Sequence, residues 1–210
     1  MKKKVLQLLL CGTIMLSLVS CGDGTPEGSG SGAANTAPLA EEAATQAVDE
    51  MTPEAIDESV PAEYRSALKK AKSYSDTMYM SKAGIYDQLI SEYGEKFSPE
   101  AAQYAMDNVQ ADWNQNALKK AESYSDTMYM SKKGVYNQLV SEYGEKFTPE
   151  EAQYAVDNVD ADWNANALEK AKSYQETMAM SPEAIRDQLT SEYGENFTQE
   201  EADYAIANLG

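Results

Sequence analysis

The chain has 210 residues, with 17 Lys and Arg against 35 Asp and Glu, no His, and two Cys, both within the first 21 positions. That inventory rules out a thiol nucleophile, a disulfide framework or a Cys/His zinc site in the rest of the chain. The net charge of −18 repels the phosphate backbone, whose binding energy comes from Lys and Arg displacing counterions, so nucleic acid is not an expected partner.

Residues 1–20 open with Lys2, Lys3 and Lys4 and continue as an apolar run too short and wrongly flanked for a mature transmembrane helix. They read as an export signal. Its end, Leu18-Val19-Ser20-Cys21-Gly22, resembles the lipobox of bacterial lipoproteins, in which small residues fit the peptidase and the Cys21 thiol takes the lipid. Cys11 would leave with the signal, and the remaining chain would carry 14 cations against 35 acids.

Residues 21–58 are rich in Gly, Ser, Ala and Thr without apolar periodicity, as expected of a lipidated Cys followed by a flexible tether. From residue 22 the tether would span roughly 35 Å on average and at most about 130 Å when taut, keeping the C-terminal part of the chain near the outer face of the membrane. Within it, 39–50 has helix-forming composition, and Thr52-Pro53-Glu54-Ala55-Ile56 resembles Ser181-Pro182-Glu183-Ala184-Ile185.

A 50-residue period dominates the rest. SKAGIYDQLISEYGEKFSPEAAQYAMDN at 81–108 returns at 131–158 and, more divergent, at 181–208. Positions 67–116 and 117–166 differ at ten places, and the apolar changes, Ile85/Val135, Ile90/Val140 and Met106/Val156, keep a core. Counted this way, the repeats occupy 59–116, 117–166 and 167–210, the third acting as a cap.

Each copy reads as three short helices. The first begins near Ser59-Val60-Pro61 in copy one and near Asp112 or Trp113 in copy two, with Asp112 a candidate cap and Leu68, Ala71, Tyr74 or Ser75, and Met78 as its buried stripe. Ser81, Ser131 and Ser181 look like N-caps of the second helix. That helix offers Ile85, Leu89 and Tyr93 as one face, with Tyr86 and Ile90 beside it. Gly94, Gly144 and Gly194 are placed to take a left-handed C-cap conformation. Phe97, Phe147 and Phe197 precede the third helix as staples, and Thr148 with Glu151 and Thr198 with Glu201 form capping boxes that copy one lacks. Ala102, Ala105, Met106 and Val109 make the buried face of the third helix, and Trp113 and Trp163 are the expected anchors of the joints. The expected fold class is therefore all-α, an elongated tandem array of three-helix, helix-turn-helix-like repeats.

The helix-turn-helix pattern invites a DNA-binding reading, yet PEAAQYAMDN (99–108) contains no Lys or Arg. Asp160-Ala161-Asp162 opens like a calcium loop, but Ala165 and Ala171 stand where the turn Gly and the bidentate Glu belong. The carboxylates recur with the repeat at helix starts, where the macrodipole favours them, so they do not define an acid/base pair. No catalytic, metal or cofactor site is expected, and the chain reads as a binding protein rather than an enzyme. Fourteen Tyr is a high count for cores this small. Tyr79, Tyr86 and Tyr104, with Tyr129, Tyr136 and Tyr154 in copy two, are the candidate partner-binding residues, because Tyr gives large contact area at low entropic cost. Copy three has Ala179 and Arg186 at the first two of these positions.

Taken together, the lipobox, the tether and the repeated ALKKAKSYSDTM, SKxGxYxQLxSEYGEKF, PEEAQYAxDN and DWNxNAL blocks resemble the Ltp family of host-cell-surface-exposed lipoproteins. The resemblance covers about 150 of the 210 residues. It implies modules lipid-anchored at Cys21 on the extracellular face of a Gram-positive cell membrane, in a family that includes prophage-encoded superinfection-exclusion proteins. Those block entry of a second phage's DNA by engaging the tail tape-measure protein, which would here be a basic or amphipathic helical partner. This chain has three repeats where the exclusion proteins carry two. The alternative is a surface interaction or structural lipoprotein that binds wall material or another protein and has no antiphage role.

Overall fold

The structure is a computed structural model that describes residues 59–210. The export signal, Cys21, the tether with its helix-forming stretch at 39–50, and the 52–56 motif lie outside the described residues. Among the described residues there are nine α-helices and no strand. They fall into three triplets: α1 Ala62–Met78, α2 Lys82–Ile90 and α3 Pro99–Asn108; α4 Trp113–Met128, α5 Lys132–Val140 and α6 Pro149–Asn158; α7 Trp163–Met178, α8 Pro182–Thr190 and α9 Gln199–Asn208. Within each triplet all three helices pack on one another, most extensively the first on the third. A period establishes spacing but not phase. The divisions at 116/117 and 166/167 fall inside α4 and α7, and the helices put the joints at 109–112 and 159–162.

Alanine makes these small bundles possible. In the first, Ala67 and Ala71 of α1 face Ala101, Ala102, Ala105 and Met106 of α3, and Ile85 and Leu89 of α2 close the core. Side chains of one carbon let the helix axes approach closely, so a few large residues fill what remains. The stripe on α1 is Ala67, Ala71 and Ser75, with Tyr64, Leu68 and Tyr74 packed against the core. Met78, expected on that stripe, is 51% exposed, because the 17-residue α1 outruns the 10-residue α3.

The helix starts are set by side-chain oxygens. Ser81, Ser131 and Ser181 each accept the amide three residues on, and Asp112 and Asp162 do the same for α4 and α7. Both expected capping boxes form, at Thr148/Glu151 and Thr198/Glu201. In the first repeat, where Ala101 leaves no carboxylate, Glu63 of α1 supplies it from outside: the Ser98 amide donates to Glu63 Oε1 at 2.8 Å. That bond holds the Glu63 carboxyl below its usual range.

The expected left-handed glycines are a correction. No glycine among the described residues has positive φ; Lys96, Lys146 and Asn196 take that conformation two residues later, at φ 57–59°. Gly94, Gly144 and Gly194 are needed for space instead. A Cβ on any of them would strike the carbonyl and side-chain amide of Gln88, Gln138 or Gln188. The left-handed cap at the end of α1, α4 and α7 falls on Tyr79, Tyr129 and Ala179, at φ 50–52°.

Candidate partner-binding surface

Each repeat holds its SEYGE turn by one device. Tyr74 Oη donates to Glu95 Oε1 at 2.6 Å and Lys70 Nζ lies 2.9 Å from the same carboxylate. Tyr124, Lys120 and Glu145 repeat this at 2.5 and 3.1 Å, and Tyr174, Lys170 and Glu195 at 2.5 and 3.2 Å. The Tyr74 and Lys70 contacts lower the Glu95 pKa. Burial, then the Glu195 bond, pushes Tyr174 from 10.0 up to about 12, and burial with the Glu145 bond pushes Tyr124 up as well. A phenol whose pKa is raised in the folded state contributes stability that is complete below its unfolded pKa and is lost as pH rises through the folded one. Stability should therefore hold up to pH 10 and fall as pH climbs toward 12. Tyr174→Phe should flatten that decline, as read by thermal melts alongside phenolate absorbance.

The joints between repeats are polar at their centre. Asn116, at the start of α4, donates through Nδ2 to Ser75 Oγ at 2.9 Å and to the Met80 carbonyl at 3.0 Å. Asn166 donates to Ser125 Oγ and the Met130 carbonyl at the same two distances. Ser81 Oγ donates to the Glu145 carbonyl at 2.5 Å, and Ser131 Oγ to the Glu195 carbonyl at 2.6 Å. Trp113 packs against the first core and Trp163 against the second, each from the first position of the following repeat. Ser81 and Ser131 thus serve twice, each accepting an amide of its own helix and donating to the next repeat. Gln175 stands where Ser75 and Ser125 accept the joint amide, and donates to the Gly210 carbonyl at 3.3 Å.

Beside each joint runs a groove. The first, about 390 Å³, has Tyr86 and Met106 along one wall, Thr148 and Glu151 along the other, and Lys82 and Gln103 at its rim. The second, about 520 Å³, is lined by the equivalent Tyr136, Val156, Thr198, Glu201, Lys132 and Gln153. Asp87 and Lys146 form an ion pair across the first groove, whereas the second has Asn137 and Asn196 at those positions. Each groove takes its walls from two repeats. Arg186, at the Tyr86 and Tyr136 position in copy three, is instead ion-paired to Asp203 at 3.0 Å.

The six candidate tyrosines do not converge on one patch. Tyr86 and Tyr136 line the grooves. Tyr79 and Tyr129 are the left-handed caps, about 40% exposed, and Tyr129 borders a separate depression between α4 and α7. Tyr104 packs its ring 5.3 Å from that of Tyr64, and Tyr154 Oη accepts a bond from Gln115 at 3.2 Å. Phe147 and Phe197 are buried, and Phe97 packs partly buried on the first core. Tyr93 is a correction. Expected on the buried face of the second helix, it lies beyond the end of α2 and is wholly exposed, as are Tyr143 and Tyr193. Helical spacing carries past the true end of the helix at Ile90; the signal that could have found the turn is the SEYGE run, where Gly94 follows within one residue. Among the described residues, no group of three or more His, Cys, Asp or Glu could hold a metal ion, and no helix is long and apolar enough to cross a membrane.

Three three-helix repeats, joined through buried asparagines and grooved at the joints, define a tandem-repeat scaffold. A family model described as host cell surface-exposed lipoprotein matches residues 62–109, 112–159 and 162–209, more than half of the chain, and the chain belongs to that family. A solved structure, that of Ltp, a superinfection exclusion protein from the Streptococcus thermophilus temperate phage TP-J34, is 48% identical. The match covers 48% of this chain and 99% of that one, with a TM-score of 0.44. No curated protein matches.

Proposed function

We propose that the chain is exported, lipidated at Cys21 and held at the outer face of a Gram-positive cell membrane, where it binds a tail protein of an incoming phage and blocks entry of its DNA. Membership of a surface-exposed lipoprotein family supports the location. The observation that carries the binding half is the pair of equivalent joint grooves, lined by Tyr86 and Met106 in one and by Tyr136 and Val156 in the other. A groove lined by both apolar and polar side chains suits an amphipathic helix, such as a tape-measure protein would offer. The surplus of acids over cations favours a basic partner.

The test is expression in a phage-sensitive host, with adsorption and DNA entry measured separately. Adsorption is expected to be normal and DNA entry to fall at least tenfold, with Cys21→Ser restoring entry by releasing the repeats from the membrane. Normal DNA entry across a broad phage panel would sink the reading.

A further inference from the structure

Tyr93, Tyr143 and Tyr193 have relative exposures of 100, 101 and 101%, a condition that serves no packing purpose. The turns that carry them are nonetheless rigid. In the first, the Tyr93 amide donates to Ser91 Oγ at 3.2 Å, the Gly94 and Lys96 amides to the Ser91 carbonyl, the Glu95 amide to Gln88 and the Phe97 amide to Leu89. The Lys70–Glu95–Tyr74 contacts brace it from below. The same backbone bonds recur in the other two turns. Because both joints repeat the same bonds at nearly the same distances, the turns recur by the same step from one repeat to the next.

Copy three sharpens the contrast. It has lost the tyrosines equivalent to Tyr79 and Tyr86 but keeps Tyr174, which the Glu195 bond explains, Tyr204, which is partly covered at 43% exposure, and Tyr193, which is wholly exposed. Preceding each exposed tyrosine in sequence is an exposed carboxylate residue, Glu92, Glu142 or Glu192. The face of a Tyr ring is electrostatically negative, so an exposed ring on an acidic turn attracts a guanidinium or ammonium group. The acidity around these sites is uneven. Residues 59–108 hold 6 Lys and Arg against 7 Asp and Glu, whereas residues 159–210 hold 3 against 11. Asn196 also replaces the lysine present in the first two turns, so Lys170, paired to Glu195 from the helix below, is the cation nearest the Tyr193 turn.

We propose that the three exposed turns are a ladder of docking points for the basic side chains of an amphipathic helical segment of another protein, with the Tyr193 turn the strongest rung. This deepens the partner-binding reading above and rests on it. Anionic lipid headgroups and phosphates are disfavoured by the same carboxylates, and rigid presentation lowers the ordering cost of binding.

The probe is a labelled synthetic amphipathic helical peptide with leucine on one face and arginine on the other, titrated against the full lipidated chain in neutral vesicles. Tyr93→Ala and Tyr143→Ala should each weaken binding about fivefold and Tyr193→Ala about tenfold. The triple variant should lose at least about a hundredfold and melt as the parent does, since the three side chains are wholly exposed. Tyr204→Ala, another exposed tyrosine, should change affinity less than twofold. Failure of the parent to bind the peptide, or a triple variant within twofold of it, would overturn the ladder. So would a triple variant that loses the peptide yet still blocks phage DNA entry. If the parent binds the peptide through these tyrosines but excludes no phage, the ladder stands and the antiphage reading fails.

Discussion

Leu139→Ala is expected to cost about 3 to 4 kcal/mol, toward the upper part of the range for such truncations, because the void it leaves cannot close. Leu139 is fully buried in the central repeat, where four of the seven other buried core residues, Ala117, Ala121, Ala152 and Ala155, are single-carbon side chains fixed to helix backbones. None of them can swing into the space. A repeat of this size contributes roughly 2 to 7 kcal/mol if stability scales with length, so the substitution removes most of what holds the middle of the array. Both grooves take a wall from that repeat, and both should be lost with it. Denaturant unfolding followed by helical circular dichroism is the measurement. A loss below about 1 kcal/mol would show that the alanine-walled core is more plastic than this packing implies.

Asn116→Ala should cost about 2 kcal/mol by a different route. The amide supplies two donors to a joint where Ser75 is 2% and Asn116 only 7% exposed, and where the Met80 carbonyl is part-buried. Truncation leaves the buried Ser75 Oγ without its partner, which costs more than the bond itself was worth. Since the bond joins repeat one to repeat two, the loss falls on their coupling rather than on either core. Calorimetry should resolve one cooperative transition in the parent into two in the variant, the first repeat melting separately. Asn166→Ala should do the same at the second joint. A single transition merely shifted downward would mean that Trp113 and the Ser81–Glu145 bond couple the repeats without help from the asparagine.

Local chemistry was legible from the sequence because it acts over three or four residues. Ser81, Asp112 and the Thr148/Glu151 and Thr198/Glu201 boxes cap where their spacing says, and the all-α repeat comes from the period together with those caps. The errors lie where the chain stops being periodic. Tyr93 fits a helical face only if the helix continues, and it ends at Ile90. Gly94 looks like a left-handed cap, yet its role is to clear the Gln88 carbonyl while Lys96 takes the positive φ.

What the sequence by itself determined is each repeat: its helix starts, its small-residue core, its family, and an inventory without His or late Cys. The tertiary structure alone decided what lies between repeats and on their surface. Nothing in the local order of residues says that Asn116 reaches a carbonyl 36 positions back, that Glu63 caps a helix 35 positions ahead, or that Ser81 binds a carbonyl 64 positions on. Those pairings depend on how one bundle docks on the next, a long-range packing outcome that no helical period encodes. The same docking creates the two grooves, and the turn geometry leaves Tyr93, Tyr143 and Tyr193 in solvent.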